Sequence, residues 1–165
     1  MPLWDKPDIT LIDGHSGSGK SRYAAELAHK TGALVVSIDE VYPGWDGLDA
    51  GSAHIYEHVL RPLAQGLSGR YLTWSWAEGA PGQWREVPAG TALVVEGCGA
   101  IRHDSAEISE NRLWLEAPED IRRERALARD GDMYAPHWTR WALQEQRFLA
   151  LHDSRRLAQE IRKLG

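Results

Sequence analysis

The stretch that most constrains this chain is a glycine loop at residues 14–21, Gly-His-Ser-Gly-Ser-Gly-Lys-Ser. It matches the phosphate-binding Walker A (P-loop) pattern G-x-x-x-x-G-K-[ST] at every fixed position. An apolar segment with the length of a buried strand, residues 9–13, precedes the loop. Residues 23–30 follow it with apolar side chains at helical spacing. Strand, glycine loop and helix together predict an α/β domain that binds a nucleoside triphosphate.

Each residue type in the loop suits phosphate binding. Glycines let the backbone turn tightly, and its N–H groups, with the start of the following helix, form a cradle for an anion. We expect Lys20 to reach the β- and γ-phosphates and the Ser21 hydroxyl to ligate Mg²⁺. The loop residues predicted to bind nucleotide are Gly14, His15, Ser16, Gly17, Ser18, Gly19, Lys20 and Ser21. The alternative, a glycine turn that happens to precede Lys-Ser, should occur in roughly one chain of this length per hundred at average glycine usage.

Two acidic residues follow apolar segments that are typical of buried strands. Asp39 follows residues 33–38, and Glu96 follows residues 91–95. The carboxyl ends of strands in an open parallel sheet face the ligand crevice, so both side chains should lie near the phosphates. Glu96 has the Walker B position, and we expect it to hold Mg²⁺ together with Ser21 and Asp39. Asp39 is also the candidate that orients or deprotonates an acceptor hydroxyl, and for both carboxylates the alternative is a local structural cap.

Aromatic residues cluster in loops that are rich in glycine and proline, and the chain contains 8 Trp in all. Tyr42 and Trp45 follow Asp39, and Trp76 ends an alternating stretch, residues 70–76, that predicts a strand. A turn cluster at 77–83 and a returning strand at 84–88 would complete a hairpin. We predict that Asp39, Tyr42, Trp45 and Trp76 bind substrate and that the hairpin is a flap over it. Local packing of these rings, or a hairpin packed on the sheet, is the alternative.

A cationic helix is predicted at residues 119–129. Arg122, Arg125 and Arg129 fall on one face of it, before a break at Gly131. A basic helix with a glycine hinge suits a lid that closes over phosphates, here at about residues 122–137. In this lid, Arg125 and Arg129 would be catalytic, and Arg125 would also bind nucleotide. A solvated face paired with nearby glutamates is the alternative.

Two other helices are predicted to be structural. Residues 50–67 have an apolar face, and Pro62 should kink or end this helix near Arg61. His54 and His58 share its surface and are expected to be solvated rather than metal ligands. Residues 135–164 predict one long helix whose inner face includes Glu145, with no chemistry of its own.

Composition limits the function classes. A net charge of −5 argues against a general nucleic-acid binder, and no stretch approaches the length of a membrane span. The single cysteine, Cys98, excludes an internal disulfide framework and suits a reducing cytoplasm. Residues 1–7 lack the pattern of a signal peptide. We therefore expect one cytoplasmic domain over residues 1–165, with a small-molecule partner and no nucleic-acid or membrane partner.

Four of these stretches together resemble the uridine kinase-like group of P-loop kinases, in the nucleoside and nucleoside-monophosphate kinase superfamily. They are residues 14–21, the Asp-Glu-Val-Tyr of 39–42, the acidic strand end at 94–97 and the arginine-bearing segment 122–130. Residues 39–42 are similar to the D-x-F-Y segment that carries the family's catalytic Asp, although Val41 replaces the Phe. Residues 74–76 are Trp-Ser-Trp where many relatives have Tyr-Asp-Trp, and the chain is shorter than well-known uridine kinases.

The resemblance implies a three-layer P-loop NTPase fold with a parallel sheet, helices on both faces and a small lid. It also implies ATP- and Mg²⁺-dependent transfer of the γ-phosphoryl group to a hydroxyl of a nucleoside-like molecule, with Asp39 as the base. Two alternatives stay open. One is a kinase for a non-nucleoside, such as a vitamin precursor or an antibiotic, and the other is a P-loop ATPase or nucleotide-binding protein without a small acceptor.

Overall fold

The computed structural model describes residues 7–163, so the expectation about the first residues lies almost wholly outside the described part. The strands are β1 (Ile9–Asp13), β2 (Leu34–Ser37), β3 (Gly69–Ser75), β4 (Ala80–Val87), β5 (Leu93–Glu96), β6 (Asn111–Glu116) and β7 (Glu160–Lys163). The α-helices are α1 (Lys20–Thr31), α2 (Leu48–Ile55), α3 (Arg61–Ala64), α4 (His103–Ile108), α5 (Glu119–Asp130), α6 (Trp138–His152) and α7 (Ser154–Leu157). No helix within residues 7–163 is long and apolar enough to cross a membrane.

A parallel sheet with the strand order β2-β5-β1-β6-β7 organises the fold. Side chains alternate across β1, so that Leu11 belongs to one buried cluster and Ile12 to another. Ala24 of α1 packs in the cluster of Ile12, whereas Trp141 and Phe148 of α6 pack in the cluster of Leu11. Helices therefore cover both faces of the sheet, which explains the nearly continuous apolar runs of its strands. The predicted α/β architecture is confirmed.

The hairpin is present, with a shorter turn than predicted. β3 and β4 pair antiparallel from Gly69 opposite Val87 to Ser75 opposite Ala80. The returning strand therefore includes Pro81 and Gly82, which the sequence had indicated as part of a turn. Most of β4 is exposed, and an exposed edge tolerates a proline because no ladder partner needs its missing N–H.

The helix predicted near Pro62 is continuous from Leu48 to Ala64, with a π-helical turn at Tyr56–Leu60. Pro62 cannot donate to the carbonyl of His58, four residues before it, and the wider turn lies directly ahead of it. His54 is not simply solvated, because its Nε2 accepts a hydrogen bond from the Leu72 N–H at 3.0 Å and so fastens the hairpin to α2.

The prediction of one helix over residues 135–164 is wrong. Helix α6 begins at Trp138 and ends at His152, where Asp153 takes a left-handed conformation with φ of 54°. After the short α7, the charged residues of β7 pair parallel with β6, and their side chains stay exposed. Residues 160–163 form a strand because the backbone groups at the edge of β6 need hydrogen-bond partners. Charged side chains are typical of a strand at the edge of a sheet.

Candidate functional site

A cleft of about 640 Å³ lies at the carboxyl ends of β1, β2 and β5. The glycine loop and α1 form one wall, the turn after β2 and the β3–β4 hairpin form another, and the end of α5 closes the third side. The cleft thus brings together the glycine loop, Asp39, Glu96, the lid arginines and the tryptophan-rich loops. This juxtaposition is the one that the sequence predicted.

Two glycines of the loop are needed for close approach. A Cβ on Gly17, which has φ of 79°, would lie 2.1 Å from the carbonyl oxygen of Arg122. A Cβ on Gly14 would lie 2.5 Å from the carbonyl oxygen of Leu115. The loop therefore packs directly on the backbone of α5 and β6. Any larger residue at these positions would push the loop away from its support.

Five of the eight loop residues line the cleft: Ser16, Gly17, Gly19, Lys20 and Ser21. The side chain of His15 instead packs edge-on against Trp114, at 5.4 Å between ring centroids. Ser18 is fully buried, and its hydroxyl has no hydrogen-bond partner within the described residues. Gly14, His15 and Ser18 do not line the cleft, so their predicted contacts with nucleotide are confined to backbone groups.

Lys20 is the cation at the base of the cleft. Its side chain is buried, and its Nζ donates a hydrogen bond to the carbonyl oxygen of His15 at 2.9 Å. Burial alone would lower the pKa of Lys20, but its interactions with Cys98, Glu96 and Asp39 raise it overall, and of these three groups the two carboxylates carry the negative charge. The ammonium therefore stays charged, as a phosphate ligand must.

Ser21 and Glu96 form a hydroxyl–carboxylate pair. The Ser21 Oγ donates to Glu96 Oε1 at 3.0 Å, and the Ser37 Oγ donates to the same oxygen at 2.5 Å. Burial and the neighbouring Asp39 raise the pKa of Glu96. No cluster of three His, Cys, Asp or Glu side chains within residues 7–163 could hold a metal by itself. A hydroxyl and one carboxylate fit Mg²⁺, which takes one or two protein oxygens and completes its shell with phosphates and water.

Asp39 lies in a 3-10 turn, Ile38–Glu40, directly after β2. Its side chain is 46% exposed, caps no helix, and lies 3.7 Å from Nη1 of Arg129. Its backbone carbonyl accepts a hydrogen bond from Nε1 of Trp76 at 2.9 Å. The carboxylate is therefore free to meet a ligand, while the hairpin fixes the backbone that carries it.

The predicted lid arginines have different surroundings. Arg122 donates from Nε to the Ala117 carbonyl at 3.0 Å and from Nη1 to the Ser16 carbonyl at 3.4 Å, so it ties α5 to the loop. Arg129 pairs with Asp130 and approaches Asp39. Arg125 lines the cleft and makes no hydrogen bond or ion pair within the described part of the chain. Of the three predicted lid arginines, Arg125 and Arg129 are therefore the two that face the cleft.

The aromatic residues have two roles: two tryptophans form a wall of the cleft, and Tyr42 supports its floor. Trp45 and Trp76 are partly buried, pack at 4.9 Å between ring centroids and line the cleft, and their contact with substrate stays a prediction. Tyr42 also lines the cleft, but it is only 1% exposed and its hydroxyl donates to the Cys98 carbonyl at 2.6 Å. Its ring packs on Trp141 at 4.7 Å. Tyr42 therefore supports the floor of the cleft rather than offering a free polar group.

Asp13 is a buried carboxylate that the sequence reasoning missed. It accepts hydrogen bonds from the N–H groups of Gly14, Gly99 and Ile101, at 2.7, 3.2 and 2.9 Å. Burial raises the pKa of Asp13 to about 6, although these bonds act in the opposite direction. It ties the glycine loop to the loop after β5. An acidic residue at the end of an otherwise apolar strand was the available signal.

Glu145 is the second missed carboxylate, and it lies on α6. It is 7% exposed, and its Oε2 accepts a hydrogen bond from the Ser16 N–H at 2.8 Å. The same oxygen lies 3.4 Å from His15 Nδ1 and 3.4 Å from Cys98 Sγ. The prediction that this helix adds no chemistry is therefore incomplete, and the placement of Glu145 on the inner face was the only signal.

Comparisons with known proteins give a curated protein of similar sequence and solved structures of similar fold. No family model matches the chain. A tRNA dimethylallyltransferase from Cereibacter sphaeroides (strain ATCC 17029 / ATH 2.4.9) is 35% identical over 146 residues, which cover 78% of this chain. The chain spans less than half of that protein, 45% of its length.

Solved structures resemble the chain over nearly all of its length. A possible uridine kinase from Bacillus stearothermophilus is 15% identical, with a TM-score of 0.66 over 94% of this chain and 88% of that one. A gluconokinase from Sinorhizobium meliloti 1021 is 19% identical, with a TM-score of 0.53 over 97% and 83%. At these identities the likeness concerns the fold. The chain therefore has the P-loop kinase fold, and the resemblance to the uridine kinase-like group is confirmed at that level.

Proposed function

We propose that this protein transfers the γ-phosphoryl group of ATP to a hydroxyl of a small, nucleoside-like molecule. The observation that carries the proposal is the half-exposed Asp39, which lies in one cleft with a phosphate-binding loop on one side and an aromatic wall on the other. A kinase needs these three parts within reach of one another, since transfer depends mainly on positioning and charge stabilisation.

The donor side of the cleft would bind Mg²⁺-ATP. The N–H groups of the loop and the Lys20 ammonium would hold the phosphates, and Arg125 and Arg129 would approach the transferring group from the opposite wall. Ser21 and Glu96, with Asp39 nearby, would hold Mg²⁺, which when bound neutralises charge on the phosphate oxygens. Such preorganised cations stabilise a charged transition state more than they would in water, because the cleft is partly shielded.

The acceptor side would lie between the hairpin and the turn after β2. Trp45 and Trp76 offer a flat apolar surface on which a heterocyclic ring can stack. Asp39 stands at the border of the two sides and would accept the proton of the attacking hydroxyl. Arg129, 3.7 Å away, would help to orient that carboxylate.

The similarity to a tRNA dimethylallyltransferase supports a second candidate, the transfer of a dimethylallyl group to a base of an RNA. In that reaction the glycine loop would hold the diphosphate of the dimethylallyl donor, and the tryptophans would receive the base. The net charge of −5 weighs against it, because RNA binding relies on cationic surface.

One experiment separates these candidates. The purified protein is incubated with Mg²⁺-ATP and a panel of nucleosides and small alcohols, and in parallel with dimethylallyl diphosphate and tRNA. A phosphorylated acceptor formed in step with ADP, and lost in Lys20→Ala, supports the kinase. A dimethylallylated base without any phosphorylated product supports the second candidate. ATP hydrolysis that no acceptor stimulates would instead indicate an ATPase and refute both.

A further inference from the structure

Helix α6 reaches behind the glycine loop with one buried side chain, Glu145. Its Oε2 accepts the Ser16 N–H at 2.8 Å, across 129 residues of sequence. The carboxylate is thus directed at a backbone amide of the loop that would bind phosphate, and His15 Nδ1 lies 3.4 Å from the same oxygen. A hydrogen bond to a charged acceptor is stronger than a neutral one, so it constrains the peptide that donates it.

The same short segment is held from its other side by α5. The Ser16 carbonyl accepts a hydrogen bond from Nη1 of Arg122 at 3.4 Å, and Gly17 packs against the Arg122 backbone. Both polar backbone groups of Ser16 therefore have protein partners before any ligand arrives. Glu145 and Arg122 lie on different helices, so the loop takes its shape from the tertiary fold rather than from its own sequence.

The charge of Glu145 is compensated locally. Burial acts to raise its pKa, but the hydrogen bond and charge of His15, the Ser16 N–H and Lys20 outweigh that effect and lower it. The side chain also does not line the main cleft; it lines a small space on the far side of the loop, beside Trp114 and Phe148. It therefore neither meets the nucleotide nor presents an unpaired charge to it.

We infer that Glu145 is a positioning residue that holds the Ser16 peptide and keeps the glycine loop in its phosphate-binding shape before nucleotide arrives. This inference rests on the proposed nucleotide binding of the loop. Without Glu145 the bound phosphates would have to order the loop themselves, and the free-energy cost of this ordering would weaken their binding. The opposite possibility is that Glu145 competes with phosphate for the Ser16 N–H, in which case its removal would strengthen binding.

Two substitutions and one control separate these effects. Glu145→Met keeps the length of the side chain and removes the acceptor, whereas Glu145→Gln keeps an oxygen that can accept the Ser16 N–H and removes the charge. Phe148→Leu is the control, because Phe148 is buried on the same helix and makes no hydrogen bond to the loop. Dissociation constants for Mg²⁺-ATP and inorganic diphosphate are measured by calorimetry, with melting temperatures and KM and kcat. Amide hydrogen exchange at residues 14–21 is followed without ligand.

We expect Glu145→Met to weaken both phosphate ligands by about tenfold or more, the scale of a lost hydrogen bond to a charged group. The dissociation constants of Glu145→Gln should lie between those of Glu145→Met and the parent. In Glu145→Met the loop amides should exchange faster than in the parent, and KM for ATP should change more than kcat. Phe148→Leu should lower the melting temperature without this loss of affinity. Tighter binding by Glu145→Gln, unchanged binding by Glu145→Met, or an equal loss in Phe148→Leu would overturn the inference.

The proposed function can fail separately. If the parent protein binds neither ATP nor diphosphate, the nucleotide proposal is refuted, and hydrogen exchange then decides the positioning role alone. The positioning role is supported if the Ser16 amide exchanges faster in Glu145→Met than in the parent, and more slowly in Glu145→Gln and Phe148→Leu than in Glu145→Met. Parent-like protection of Ser16 in Glu145→Met overturns it.

Discussion

Replacing Asp39 with asparagine tests the proposed chemistry most directly, because the change removes charge and keeps shape. The side chain is 46% exposed, and Arg129 at 3.7 Å is its ion-pair partner. An exposed ion pair contributes about 0–1 kcal/mol to folding, so the free energy of unfolding should change by no more than about 1 kcal/mol. In a domain of this size that corresponds to a melting-temperature shift of about 2–4 °C.

The effect on turnover should be far larger. Loss of a general base lowers rates by about 10²–10⁴-fold, which at about 1.4 kcal/mol per factor of ten corresponds to about 3–5 kcal/mol of transition-state stabilisation. Asp39→Asn should still bind Mg²⁺-ATP with near-parent affinity if its main role is to accept the proton. Weaker Mg²⁺-ATP binding, with activity partly recovered at high Mg²⁺, would assign the carboxylate to the metal instead.

The neighbouring residue provides a matched control. Glu40 is 47% exposed and also carries one ion pair, at 2.7 Å to Arg85. Glu40→Gln removes the same charge one residue away and should change kcat by less than tenfold. Phosphorylated product is quantified by mass spectrometry at saturating ATP and acceptor. Parent-like turnover of Asp39→Asn at ordinary Mg²⁺, or equal losses in both variants, would refute the assignment of Asp39 to the chemistry.

Three further predictions follow from contacts around the cleft. Arg125→Ala should lower kcat more than ATP affinity and leave the melting temperature unchanged, because Arg125 has no partner in residues 7–163; equal kcat would make it a solvated residue. Trp76→Phe should raise KM for the acceptor more than for ATP, since it removes the hydrogen bond to the Asp39 carbonyl and part of the aromatic wall; equal changes in both KM values, with a lower melting temperature, would mean that Trp76 is only core. Tyr134→Phe should leave the melting temperature unchanged or higher, because its buried hydroxyl approaches the Ser16 side chain without a hydrogen bond of ordinary geometry; a fall of several degrees would show that this approach is a stabilising hydrogen bond.

Local patterns predicted most of what surrounds the phosphate loop. The apolar runs before Gly14 and Glu96 are buried strands, and the run before Asp39 is the partly buried edge strand β2. Their hydrophobicity indicated parallel strands whose ends meet. The turn chemistry of Gly32 and Gly131, both with positive φ, also marked the ends of α1 and α5. These features depend on neighbours within a few residues or on the general topology of parallel sheets.

What the sequence could not predict depends on distant partners. The charged residues of β7 have no strand pattern of their own, and they form a strand because β6 offers a free edge. The buried position of Tyr42 depends on Trp141 and on the Cys98 carbonyl, both far along the chain. Glu145 is a charged residue at the spacing of a core residue, and its burial is explained by partners distant in sequence: the Ser16 N–H, His15 and Cys98.

The central place of β1 in the sheet has a consequence for synthesis of the protein. Its residues Ile9 and Thr10 pair with Leu93 and Asn111, and both partners are translated long after it. At about 5–20 residues per second, β1 leaves the ribosome roughly 5–20 s before the sheet can close around it. During that interval a strand that is apolar on both faces has no native neighbour, which is the state in which chains aggregate or engage chaperones. The strand that precedes the phosphate loop is therefore also a part of the nascent chain that needs protection.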